Sequence, residues 1–372
     1  MFVPNQRIEA MKVDGRSYRT LWPTADGRAI EVIDQTLLPH RFATRRIGDL
    51  DSAVVAIKTM VVRGAPLIGA AGAYGLALAL RDKADDASLE RAHGALLASR
   101  PTAVNLRWAL DDVRARVAPL APRARAAAAW ARAAEICDED VALNRRIGEA
   151  GLPLIEAAHR AHGRVVNVLT HCNAGWLATV DWGTATAPIY LAHDRGVPVH
   201  VFVDETRPRN QGAALTAYEL GQHGVPHTLI ADNAGGHLMQ HGQIDLCIVG
   251  ADRITARGDA ANKIGTYLKA LAARANHVPF YVAAPHTTID WTTENGLEIE
   301  IEQRSADEVT HITGRLDDGG IARVALAPPG THAVNPAFDV TPAELIEAFI
   351  TDRGLCPATK PALAALFERD RS

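Results

Sequence analysis

VVNVLTH, residues 165–171, is a short run of β-branched and aliphatic residues that stops at a polar pair. Four more runs of the same kind follow it: VPVHVFVDE (197–205), VPHTLIAD (225–232), IDLCIVGAD (244–252) and VPFYVAA (278–284). Amphipathic or small-residue segments separate them. Strands buried on both faces read as nearly continuous Val/Ile/Leu runs, and helical segments between such runs make βαβ units. The fold class is therefore α/β, and residues 148–372 are expected to form a Rossmann-like domain on a parallel sheet.

Upstream the rhythm differs. SYRTLW (17–22) and AIEVIDQTLLP (29–39) read as short β elements split by the turn ADGR. Helical patterns then run to about residue 147: after Leu50, after Pro66, around Leu89–Ala98, over Asn105–Val117, and through the Ala- and Arg-rich Arg123–Glu135, whose arginines read as a solvated face. Residues 1–147 are expected to be a mainly helical domain with a small β element, and Gly148 to Pro153 its boundary, which a helix could also cross. Near the other end, DVTPAELIEAF (339–349) predicts a final helix: Thr341 suits the N-cap, Pro342 the first position and Glu344 the third.

A formal net charge of −4 speaks against a general nucleic-acid or membrane-surface binder. The longest uncharged run, beginning PLIGAAG at Pro66 and ended by Arg81, is shorter than a membrane span and suits a tightly packed core helix. The opening MFVPNQRIEA has no apolar leader region. Cys137, Cys172, Cys247 and Cys356 lie far apart with neither zinc nor redox spacing, which points to a reducing, cytoplasmic setting. His237 and His241 are four apart, but no glutamate follows His237 as the zincin pattern requires; His159 and His162 have a spacing common by chance. Neither a metal nor a cofactor is expected.

Ligands of an open parallel sheet bind beyond the carboxyl ends of its strands. There the chain places Thr170, His171, Cys172 and Asn173; then Asp204 to Arg207 and Arg209 to Gln211; then Asp232 and Asn233; then Asp252 and Arg253, with Asn262 and Lys263 beyond. Cys172, between a strand end and an expected helix start, reads either as a thiolate favoured by backbone N–H groups and a helix dipole or as a small buried hydrophobe. Cys247, in mid-strand, reads as core. Asp252 reads equally as a helix cap and as an acid–base group. Arg63 and Gly64, ahead of a Pro-led helix, form either a plain helix start or a phosphate cradle. Arg107, in NLRW, is a surface arginine or a phosphate ligand.

Taken together, VVRGAPLIGAAGAYG, NLRWAL, THCNAGWLAT, VDETRPRNQGA, IADNAGGHLM, IVGADRITARGDAANKIGTY and NPAFDVTP make the chain resemble the methylthioribose-1-phosphate isomerase family. That family is grouped with the alpha, beta and delta subunits of initiation factor 2B and with ribose-1,5-bisphosphate isomerase. The resemblance spans about residues 60 to 342. It implies a helical domain joined to a Rossmann-like domain, a homodimer, a sugar-phosphate substrate and a place in methionine salvage. It assigns Cys172 and Asp252 as the catalytic pair, and Arg63, Gly64, Ala65, Arg107, Gln211, Asn262 and Lys263 to substrate and phosphate. One departure stands out: Trp176 and then Val180, Asp181, Trp182 and Gly183 replace small residues and a Gly-Tyr-Gly stretch. Two tryptophans beside Cys172 imply a reshaped, apolar pocket end and a subgroup that also accepts 5-deoxyribose 1-phosphate. The competing readings are a non-catalytic binding protein of the initiation-factor type, which needs no such pair, and an isomerase for ribose 1,5-bisphosphate, which needs a second phosphate pocket.

Overall fold

The apolar runs after residue 164 become strands of one sheet in the computed structural model, which describes residues 11–367. The ten residues read above for a leader lie outside the described part. The strands are β1 (Val166–Thr170), β2 (Val199–Asp204), β3 (His227–Ile230), β4 (Leu246–Val249), β5 (Phe280–Ala283), β6 (Ala348–Thr351) and β7 (Gly354–Cys356). Their order is β7-β6-β5-β4-β1-β2-β3, parallel throughout except for the β6–β7 pair. Without the edge strand β7 this is the 3-2-1-4-5-6 order of the dinucleotide-binding folds. All four residues of β4 are buried, so Cys247 is core. Helices α6 (Ala187–Asp194), α7 (Ala217–His223), α8 (Ala234–Gln240) and α9 (Thr266–Ala275) fill the crossovers. One sheet face packs Val168, Val201 and Val203 against Ile189, Tyr190 and Leu220; the other packs Leu169, Val249 and Val282 against Met239 and Ala270.

The first part of the chain holds a three-stranded antiparallel sheet (Leu21–Pro23, Ile30–Ile33, Thr44–Ile47) and helices α1 (Leu50–Lys58), α2 (Ala65–Asp82), α3 (Asp86–Ser99) and α4 (Val104–Val117). α2 is buried on every side because its small residues admit close neighbours: a β-carbon at Gly72 would sit 2.4 Å from Leu106. Among the described residues no helix is long and apolar enough to cross a membrane.

At the expected boundary, Gly148 to Pro153, a helix does run across. It is α5, a 41-residue helix from Pro122 to His162. Its first half packs on α2 and α4 and its second on α6, β6 and β7. The glycines there are close-approach points: a β-carbon at Gly151 would meet Pro188 at 2.5 Å. The helix expected at Thr341 is also corrected. Phe338–Thr341 is a strand paired with Ala260–Lys263, a 3-10 turn covers Ala343–Leu345, and β6 follows at Ala348. Sheet pairing on both sides leaves too few residues for an α-helix. The last helix described is Lys360–Leu366, capped by Thr359.

Candidate active site

β1 and β4 are neighbours, and the chain leaves them in opposite directions, toward β2 and toward β5. Such a switch point opens a crevice at the strands' carboxyl ends. Cys172 lies just past β1 and Asp252 just past β4. Both line one small cavity with Arg63, Gly64, Ala65 and Asn262.

Cys172 has left-handed backbone, φ 69°, a conformation that costs a non-glycine residue about 1–2 kcal/mol. Two hydrogen bonds hold it there. Its N–H donates to Thr206 Oγ1 at 2.8 Å, and Thr216 Oγ1 donates to its carbonyl at 2.7 Å. No α-helix starts at the cysteine: a 3-10 turn at Trp176–Ala178 comes next, and α6 begins at Ala187. The expected helix dipole is therefore missing. Burial pushes the thiol up, while Arg63 and Lys263 pull it back. Asp252 does not cap a helix either, because a β-hairpin of Arg253–Thr255 and Ala260–Lys263 follows it. Burial pushes its carboxyl up against the pull of Lys263, Arg63 and Arg100. A carboxyl biased toward its protonated form is a proton donor.

The opposite wall is cationic. Gly64 is the N-cap of α2 with φ 96°, and no side chain caps that helix. A β-carbon at Gly64 would lie 2.5 Å from the Ala178 backbone. An uncapped helix start beside an arginine suits an anion. Ala65 opens the helix, and Asn262 Nδ2 donates to Thr266 Oγ1 at 3.1 Å. Lys263 is buried with Nζ 4.4 Å from the Phe338 ring centroid; burial pushes its pKa down, and the charges of Cys172 and Asp252 push it back.

Three expected residues do not line this cavity: Lys263, Gln211 and Arg107. Gln211 is buried and lines a second, more open cavity, which shares Arg63 with the first. Arg107 is exposed on α4 and does not line the Cys172 cavity. The helical period turns Asn105, Leu106, Ala109 and Leu110 inward instead. Another arginine of this region, Arg100, sits at the junction of α3 and α4. It lines a pocket with Gly64 and Asp252 and lies 3.4 Å from Glu302. Burial pushes its pKa down, and Glu302 and Asp252 act the other way. Sequence reading missed it, although Pro101 marks the helix end that places it at a junction.

Trp176 and Trp182 are also corrected. Both are buried in the core with Leu177, Ile189 and Tyr190, and neither lines the two cavities. They do not make an apolar pocket end, and they no longer weigh against a second phosphate.

Beneath the cavity lies a buried polar layer. His171 bridges Asp204 (Nδ1 to Oδ2, 2.8 Å) and the Ile264 carbonyl (Nε2, 2.8 Å), linking the end of β1 to the residue after Lys263. His171, Asp204 and Asp232 have ligand atoms within 4.8 Å of one another. Yet Lys269 stands 3.3 Å from Asp204, and the Asp232 oxygens accept from Thr206 and Arg207 N–H groups at 2.7 Å each. The cluster thus carries its own cation. Glu219, on α7, is fully buried beside Asn173. Nothing in AYELGQH distinguishes it from a solvent-facing glutamate.

Residues 61–358 match the Initiation factor 2 subunit family. A methylthioribose-1-phosphate isomerase of Methylorubrum populi is 64% identical over 363 residues, 97% of this chain and 99% of its own. Among solved structures, the 5-methylthioribose 1-phosphate isomerase of Pyrococcus horikoshii is 39% identical with a TM-score of 0.83, covering 99% of this chain and 100% of that one. The delta subunit of translation initiation factor eIF-2B from A. fulgidus is 36% identical with a TM-score of 0.77, covering 95% and 100%.

Proposed function

The chain belongs to the Initiation factor 2 subunit family and, within it, to the methylthioribose-1-phosphate isomerases, and from that premise we propose that it converts 5-methylthioribose 1-phosphate to 5-methylthioribulose 1-phosphate in methionine salvage. It is an aldose–ketose isomerase. The observation that carries the reading is the meeting of Cys172 and Asp252 in one cavity with a cationic wall. A non-catalytic binding protein has no use for that pair. 5-Deoxyribose 1-phosphate, which carries the same anomeric phosphate, stays a second substrate in this reading, although the tryptophans that suggested it lie in the core. The working enzyme is a cytoplasmic homodimer.

Phosphate on the anomeric carbon blocks simple ring opening, so the ring oxygen must be protonated as its bond to C1 breaks. Asp252 supplies that proton. Hydrogen then moves from C2 to C1 while the 2-hydroxyl gives up its proton and becomes the carbonyl, which balances the proton given to the ring. Cys172 either takes the C2 proton as thiolate or lines a hydride path. Arg63, Lys263, Asn262 and Gln211, with the open N–H groups at Gly64 and Ala65, grip the phosphate and sugar; Arg100 joins them beside Asp252. Because burial favours the protonated form of Asp252, activity falls as pH rises through its elevated pKa.

Rates on 5-methylthio-, 5-deoxy- and 5-phosphoribose 1-phosphate test the substrate. The 5-methylthio compound should give the highest kcat/KM; a preference for the bisphosphate overturns the reading. Cys172→Ser and Asp252→Asn should each lower kcat about a thousandfold or more with KM within about threefold. Near-normal turnover in either variant removes its assigned role. In heavy water, deuterium at C1 marks proton transfer.

A further inference from the structure

Glu219 is 0% exposed, and the cavity does not include it. Its Oε1 accepts from Asn173 Nδ2 at 2.5 Å and its Oε2 from the Leu177 N–H at 3.2 Å. A β-carbon on Gly175 would lie 1.5 Å from Oε1, so the loop after Cys172 is shaped around this carboxyl. A π turn at Gly212–Thr216 leads into α7 and brings Thr216 to the same place, where it accepts from Asn173 Nδ2 at 3.1 Å. On its other side Asn173 accepts twice from Arg63: at its side-chain oxygen, and at its carbonyl at 2.9 Å.

We propose that Glu219 is a positioning residue for the anion site, acting through the amide of Asn173 to fix the guanidinium of Arg63. The logic is one of donors and acceptors. Burial pushes the Glu219 carboxyl up to about 8, yet both its oxygens accept here, Oε1 from Asn173, and a guanidinium only donates; the amide between them is thereby oriented NH₂ toward Glu219 and oxygen toward Arg63. Replace the carboxylate by an amide and Asn173 can turn over, setting its NH₂ against Arg63. The inference rests on the reading of Arg63 as a phosphate ligand and adds what keeps that arginine in place.

The test uses inorganic phosphate as the probe, with its affinity measured by calorimetry on the full chain and by competition in the isomerase assay. Glu219→Gln frees the amide, and Asn173→Asp sets two carboxylates face to face; each alone should weaken phosphate binding about tenfold. In the double variant the roles are exchanged. The amide introduced by Glu219→Gln donates to the carboxylate introduced by Asn173→Asp, whose other oxygen still accepts from Arg63, and affinity should return to within about threefold of wild type. Losses that simply add in the double variant overturn the relay, as does a Glu219→Gln protein that binds phosphate normally. If Glu219→Gln alone does not fold, the double variant must still bind more tightly than Asn173→Asp, or the proposal fails. A wild type that binds no phosphate overturns both the relay and the anion site. A wild type that binds phosphate but does not isomerise the 5-methylthio sugar overturns only the substrate assignment.

Discussion

Seven residues separate the two arginines that compete for one role, and the difference between them is geometric. Arg107 sits within α4 on its exposed face, whereas Arg100 sits in the turn before it, half enclosed by Gly64, Asp252 and Glu302. Nothing in the pattern of charges tells the two apart, because an arginine in a polar turn and one on a helix face look alike until the helix is packed. The structure makes the comparison sharp. Arg100→Ala should raise KM about tenfold or more, while Arg107→Ala should stay within about twofold of wild type, as steady-state kinetics will show. Cys172, Asp252 and Gly64 were raised by the sequence for the opposite reason: two follow strands and one opens a helix, positions that sequence punctuation marks. Glu219 was not, since its partners Asn173 and Leu177 come from the loop after β1, and no local pattern records them.

Elements were legible where their own periodicity decided them and illegible where a neighbour did. α2 and the parallel strands follow from local pattern. The Thr341–Glu344 capping signature failed because pairing of Phe338–Thr341 and β6 claims the flanks. The exposed hairpin of His311–Arg315 and Ile321–Ala325 went unread, although DDGG between two apolar runs is a turn signal. α5 has a consequence that composition hides. From its middle, Asp140 accepts from the Val180 N–H at 2.7 Å, tying the helix to the loop beyond Cys172. Burial pushes its carboxyl up to about 7, the charge of Asp181 adding to this and the Val180 N–H opposing it. Between its ordinary range and that value the native chain binds a proton that the unfolded chain has lost. This contribution is therefore full at low pH and is lost as pH rises toward 7. Asp140→Asn removes the dependence: between pH 5 and 8 the wild type should lose about 1–3 kcal/mol more stability than the variant, measured by denaturant titration at each pH.

At the scale of the molecule, strand order was the one thing the apolar runs could not state, and it is what makes the site. Only when β1 and β4 pair do residues eighty positions apart meet. One helix shared by both halves packs on α2 and α4 and on α6, β6 and β7. The left-handed backbone at Cys172 sets this whole against its most reactive part. A chain selected for robustness alone would put glycine there, so the sulfur sits where the scaffold would rather have no side chain at all. Cys172→Gly should accordingly melt above Cys172→Ala despite its smaller residue and despite glycine's looser unfolded state, because only glycine relaxes that torsion. The thiol is thus held in place at the scaffold's own expense.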